Sequence, residues 1–120
     1  MKALGLDLGT TSLSALVLET DSGVLAAKTV QNASFLPGER WERTQNAEEI
    51  YAAALPLVQE LVCEHPEICA IGVTGQMHGI VYLDTDGRFL SPLYTWQDER
   101  AALPFNKTES WAAHLSAVTG

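Results

Sequence analysis

Apolar positions run from Ala3 to Leu8 and again from Leu13 to Leu18. The four small or polar residues between them, Gly9-Thr10-Thr11-Ser12, read as the tip of a β-hairpin with a buried stem. The second strand extends to Glu19, Asp21-Ser22-Gly23 is a turn signal, and Val24 to Val30 completes a three-stranded meander. From Gln31 to Gln45 the periodicity lapses into a loop, with a turn at Pro37-Gly38 and Trp41 as an anchor in a polar stretch. Asn46 and Glu49 form a capping box. Beyond them Ile50, Ala54, Leu57 and Leu61 recur at helical spacing, with Tyr51, Leu55, Val58 and Val62 beside them. Pro56 is expected to bend or divide this helix, and His65-Pro66 to end it. Ile68 to Thr74 reads as a buried strand, which the helix, as a crossover, sets parallel to a strand of the meander. Ile80 to Leu83 and Phe89 to Thr95 read as a hairpin about Asp84-Thr85-Asp86-Gly87, with Pro92 marking an edge or a break. Past Ala101 the signal thins, and Glu109 to Val118 is weakly helical. The expected fold is α/β, a mixed sheet with a βββαβ core followed by a hairpin.

At 47% apolar, 120 residues suffice for one domain with a core. Seven Lys plus Arg stand against fifteen Asp plus Glu. Neither a nucleic acid nor a membrane surface is therefore an expected partner, and an anionic ligand needs a local site. No apolar run reaches the roughly 18 residues of a membrane span, and no signal-peptide pattern precedes the first strand, so a cytoplasmic location is expected. Cys63 and Cys69 are too few for a disulfide framework and are expected to be buried free thiols. Asn32-Ala33-Ser34 and Asn106-Lys107-Thr108 match the glycosylation sequon and read as chance matches.

Candidate chemistry begins at Asp7, near the end of the first apolar run and with no Lys or Arg close in sequence. A buried carboxylate needs donors or a cation. Gly9 offers an unencumbered backbone, and Thr10, Thr11 and Ser12 add three hydroxyls, donors that suit phosphate oxygens. The tip is expected to hold a nucleotide's phosphates while Asp7 faces the accompanying metal. The alternative is ordinary hairpin chemistry, with Asp7 capping a turn.

Two further polar groups, Gln76-Met77-His78 and Trp96-Gln97-Asp98-Glu99-Arg100, each follow an expected strand. In open α/β sheets, ligands gather beyond the carboxyl ends of parallel strands, so these groups are expected to share a cleft with Asp7. There His78 would exchange hydrogen bonds with a hydroxyl and Trp96 would offer a flat face to a sugar ring, while Gln97 and Asp98 supply an amide and a carboxylate. Each has a plainer alternative: a structural histidine, a core methionine, an Asp98 that caps the segment after Thr95, and Arg100 paired with an acidic neighbour.

GLDLGTTS, at Gly5 to Ser12, resembles the first phosphate motif of the superfamily of sugar kinases, chaperone ATPases and actin, whose fold is ribonuclease-H-like. Together with IGVTGQMHGIVYLD, PLYTWQDER and Trp41-Glu42, it resembles the amino-terminal part of the FGGY family of carbohydrate kinases, over almost the whole chain. Gln76-Met77-His78-Gly79 is similar to the xylulokinase and sedoheptulokinase branches, whereas glycerol kinases carry Arg-Glu where Met77 and His78 stand. Trp96-Gln97-Asp98 departs from the Trp-Asn-Asp of common xylulokinases and is closer to sedoheptulokinase-like and glycerol kinase sequences. The resemblance implies ATP-dependent transfer of a phosphoryl group to a primary hydroxyl of a ketose or related polyol. It assigns Asp7 to catalysis and, through water, to Mg2+; Gly9, Thr10, Thr11 and Ser12 to ATP phosphates; and Gln76, Met77, His78, Trp96, Gln97 and Asp98 to the sugar. It implies that residues 1–120 are an incomplete amino-terminal domain, inactive alone, with the catalytic base and the adenosine-binding residues elsewhere. The expected partners are the sugar and ATP, and a homodimer is left open. The rival reading is a non-catalytic module of the same fold, nucleotide-sensing or actin-like.

Overall fold

The computed structural model describes residues 1–120. Strand β1 (Lys2–Leu8) pairs antiparallel with β2 (Ser12–Glu19), from Lys2 opposite Glu19 to Leu8 opposite Leu13. Strand β3 (Gly23–Gln31) continues the meander after a tight turn in which Gly23 takes a φ of 78°, a backbone state that glycine adopts without steric cost. A two-residue strand β4 (Thr44–Gln45) precedes helix α1 (Ala47–Glu64), and β5 (Ile68–Gly75) then lies parallel to β1. The four-stranded sheet has the order β3-β2-β1-β5, the mixed βββαβ arrangement that the sequence pattern calls for.

Helix α1 starts where expected: the Asn46 side chain accepts from the Glu48 and Glu49 amides and donates to the Glu49 carboxylate at 3.0 Å. It is not divided at Pro56. The proline is exposed, as is Ala52, so the Ala52 carbonyl that loses its helical donor can be hydrated. Its inner face places Ile50, Ala54, Leu57 and Leu61 on Leu4 of β1 and on Leu13, Ala15 and Val17 of β2, a helix period of 3.6 against a strand period of 2.

This layer is thin. Only thirteen of 120 residues are buried, and the radius of gyration of 18.5 Å exceeds the roughly 13–14 Å expected of a compact domain of this length. The apolar content produces the expected core, but a small one of eight buried residues. One reason is that α1 lies over β1 and β2 and leaves β5 largely uncovered, so Ile71 and Val73 are exposed and the expectation of a buried strand at Ile68 to Thr74 fails. The other is that no helix covers the opposite sheet face, where Ala3, Gly5 and Asp7 stand between Leu18, Leu16 and Ser14 on one side and Ala70, Gly72 and Thr74 on the other. Cys63, off the inner face of α1, and Cys69, on β5, are exposed rather than buried for the same reason.

The expected second hairpin is present but frayed. Gly87 closes its turn with a φ of 81° and Asp84 Oδ1 accepts from the Asp86 and Arg88 amides, yet Ile80–Tyr94 and Leu83–Phe89 pair only as isolated bridges. The returning chain leaves it at β6 (Leu93–Tyr94) to pair with β4, consistent with the break expected at Pro92. A 3-10 turn (Arg100–Ala102) and helix α2 (Trp111–Thr119), capped by Ser110, complete the chain. No helix is long and apolar enough to cross a membrane.

Candidate functional site

The parallel pairing of β1 and β5 sets their carboxyl ends side by side, Leu8 opposite Gly75, with the Gln76 amide donating to the Leu8 carbonyl at 3.2 Å. Two loops leave from this edge, Gly9–Thr11 and Gln76–Gly79. In the first, a Cβ on Gly9 would lie 2.7 Å from the Ser12 carbonyl oxygen, so the tight path of the tip requires glycine. The Gly9, Thr10 and Thr11 amides and the Thr10 and Thr11 hydroxyls find no acceptor within the chain. Their donors remain free for an external anion.

Asp7 is exposed, which corrects the expectation of a carboxylate needing compensation in a buried stem. Strand alternation turns it to the uncovered sheet face, beside Ser14 of β2 and Thr74 of β5. One Asp7 oxygen lies 3.7 Å from the position of a Gly9 Cβ, so the carboxylate stands against the tip. No cluster of three His, Cys, Asp or Glu side chains occurs. A lone exposed carboxylate suits a Mg2+ that arrives with phosphates and keeps waters, and does not make a dedicated protein cage.

In the second loop, His78 adopts a φ of 58°, left-handed for a residue with a side chain, and Gly79 follows where a Cβ would come within 3.1 Å of Leu93 and 3.3 Å of the Tyr94 carbonyl. This turn presents Met77, 72% exposed, and His78 outward. Neither plainer alternative holds for them, since Met77 fills no core and His78 satisfies no buried group. His78 lines a cleft of about 410 Å³ with Ile80, Tyr82, Tyr94, Trp96 and Asp98.

The Trp96 wall is built by a turn. Asp98 N donates to the Thr95 carbonyl at 3.0 Å, leaving Trp96 and Gln97 exposed at its tip, while buried Thr95 bonds through both N and Oγ1 to the Arg43 carbonyl. Asp98, its side chain 4% exposed, is fully engaged: Oδ1 accepts from Arg100 N and Nε, and Oδ2 from Arg43 N at 2.9 Å and Arg100 Nη2 at 3.0 Å. The Arg100 guanidinium, helped by the backbone donors and opposed by burial, holds the Asp98 carboxyl down at about 2. Arg100 in turn sits 4.1 Å from the Tyr94 ring centroid and 5.7 Å from that of Trp41. Trp41 is thus a half-buried anchor, its carbonyl accepting from Glu99 N at 2.9 Å.

The cleft therefore gathers His78, Trp96 and Asp98, while Asp7 and Gly9–Ser12 stand at the neighbouring strand end and outside its lining. Gln76 joins the two places. Its Nε2 donates to Gln45 Oε1 at 2.7 Å, and Gln45 Nε2 donates to the Thr10 carbonyl at 2.9 Å. Its own Oε1 is buried without a partner. Sequence reasoning missed Gln45, Thr95, Tyr82 and Tyr94 in these roles; the one signal available was the unexplained polar run ahead of Asn46.

The model of the FGGY family of carbohydrate kinases, N-terminal domain, matches residues 2–117. The chain is 30% identical over 119 residues to the xylulose kinase of Escherichia coli (strain K12), covering 98% of this chain and 24% of that protein. It is 30% identical over 111 residues to the gluconokinase of Bacillus subtilis (strain 168), covering 91% and 20%. It therefore spans only a fifth to a quarter of the length of these curated relatives. Among solved structures, a xyloylose kinase from Brucella ovis superposes with a TM-score of 0.76 at 29% identity, over 85% of this chain and 22% of that one. The glycerol kinase of Plasmodium falciparum, solved with ADP, gives 0.75 at 18% identity over 83% and 21%, a likeness of fold.

Proposed function

Because the chain belongs to the FGGY family of carbohydrate kinases, we propose that it is the amino-terminal, ribonuclease-H-like part of a longer enzyme that phosphorylates a ketose or related polyol at a primary hydroxyl, using ATP. The observation that carries this reading is the shared strand edge, where a hairpin tip with free amides and an exposed carboxylate adjoins a cleft offering an imidazole and an indole face. In it Gly9, Thr10, Thr11 and Ser12 receive phosphate oxygens, and Asp7 would hold Mg2+ through water. That ion would neutralise charge developing on the phosphates. Met77, His78, Trp96 and Gln97 contact the sugar, and Asp98 holds the wall that carries the last two. A substrate hydroxyl reaching Gln76 Oε1 would satisfy an acceptor otherwise buried unpaired. The thin core and uncovered faces support an incomplete domain.

The test is ADP release by the full-length protein, with Mg2+ and each of xylulose, ribulose, sedoheptulose, fructose, gluconate and glycerol. A ketose should give the largest kcat/KM. Absence of sugar-dependent ADP release with all six would refute the reading.

A further inference from the structure

The loop between β3 and α1 carries two buried side-chain amides that no part of the proposed chemistry uses, Asn32 at 5% exposure and Gln45 at 0%. Both reach the hairpin tip. Asn32 Nδ2 donates to the Gly9 carbonyl at 2.9 Å, Gln45 Nε2 to the Thr10 carbonyl at 2.9 Å, and the Asn32 backbone amide to the Thr11 carbonyl at 2.9 Å. Three consecutive carbonyls of the tip are thus held by one segment. Every peptide bond in the chain is trans, and across a trans peptide the C=O of one residue and the N–H of the next point in opposite directions. Fixing the Gly9, Thr10 and Thr11 carbonyls on the side of the β3–α1 loop therefore turns the Thr10, Thr11 and Ser12 N–H groups to the other side. The Thr10 and Thr11 amides are among those without an acceptor in the chain.

The amides that do this are themselves fixed. Asn32 Oδ1 accepts from Ser34 N at 3.2 Å and Ser34 Oγ at 2.5 Å, which leaves Nδ2 as the group that faces Gly9. Gln45 Oε1 accepts from Gln76 Nε2, which orients the Gln45 amide and ties it to the loop bearing Met77 and His78. We propose that Asn32 and Gln45 are positioning residues that aim the tip's amides at the nucleotide's phosphates, and that the Gln76–Gln45–Thr10 relay sets the distance between phosphate and sugar sites. The inference rests on the reading of Gly9–Ser12 as a phosphate site. It also explains Asn32 outside any sequon role, since its Nδ2 is buried and engaged.

The experiment uses the full-length protein, Asn32→Asp and Gln45→Met variants checked for folding by circular dichroism, and calorimetric binding of ATP and of adenosine. Each substitution is close to isosteric and removes the donor to one tip carbonyl. The expected result is a five- to fifty-fold rise in Kd for ATP with adenosine binding changed less than two-fold, a contrast that a general loss of structure would not give. Either variant folded, with wild-type affinity for ATP, overturns the positioning role of that residue. Wild-type protein labelled with 15N-threonine keeps the two readings apart and requires no variant. The Thr10 and Thr11 amide signals should move with ATP and stay with adenosine. If they do move while the folded variants bind ATP normally, the positioning inference falls and the phosphate site stands. If they do not, the phosphate site falls and the inference with it.

Discussion

Replacing Asp98 by Asn distinguishes a brace from a sugar contact. The carboxylate accepts four hydrogen bonds, three from Arg100 and one from the Arg43 amide, and these draw it from 3.8 to about 2. A displacement of that size corresponds to about 2 kcal/mol of preference for the ionised form in the folded state. The Arg100 side chain is 41% exposed, and solvent screening of the pair reduces the expected contribution to about 1–2 kcal/mol. Asparagine keeps the volume but turns an NH2 group against a donor whichever way it is flipped. The variant should therefore lose about 1–2 kcal/mol in urea unfolding of the full-length protein at pH 7, followed by Trp fluorescence. The folded value lies below the unfolded one, so the stabilisation is complete above about pH 4 and disappears as pH falls towards 2. The gap between wild type and variant should shrink over that window. Equal stability at pH 7 combined with a raised ketose KM would refute the brace and make Asp98 a direct ligand.

Three further outcomes are expected in the full-length enzyme. Gly9→Ala meets backbone rather than a yielding side chain, so the tip must move and the ATP KM should rise at least about ten-fold by initial-rate kinetics, with the sugar KM little changed. Asp7→Asn should lower kcat by about a hundred-fold or more while sugar affinity, measured by calorimetry, stays within about three-fold, because the interaction matters chiefly in the transition state; wild-type turnover would remove Asp7 from the site. His78→Ala should raise the ketose KM several-fold, the equivalent of about 0.5–1.5 kcal/mol for one hydrogen bond, with the melting temperature nearly unchanged since the ring is exposed and unbonded. Unchanged ketose kinetics would exclude it.

What could be read in the chain was local. The apolar runs Ala3–Leu8 and Leu13–Leu18, the Asn46–Glu49 cap and the Asp84–Gly87 turn each signal themselves within a few residues, and each is where it was expected. The polar groups after β5 and β6 were legible as polar residues that follow expected strands, although the exposure of Met77 was not, since its plainer reading was a place in the core. Burial was not. Whether Ile71, Val73 and Cys69 are covered depends on where α1 lies across the sheet, and apolar content alone says only that such residues could be buried. Asp7 followed the same pattern: its strand position was right and its surroundings were not.

The braces were the least legible part, and the reason bears on how the site works. Gln45 meets Thr10 across 35 positions, Asp98 meets Arg43 across 55, and a single bond of that span leaves no periodicity and no composition signal. Asn32 was visible only as a sequon that chemistry did not require. Yet the groups that would touch ligand, from Thr10 and Thr11 to Met77, His78 and Trp96, sit on exposed turns whose own backbone would not hold them. Loops of this kind carry function only when a scaffold fixes them. Here the fixing comes from Asn32 and Gln45 at one tip and from Thr95 with Asp98 at the other, both through the segment between β3 and α1. That segment reads as a structureless loop in the sequence, and it is the one element bonded both to the hairpin tip and to the turn carrying Trp96. Alterations within it should therefore shift phosphate and sugar recognition together, whereas changes in either tip should shift one alone.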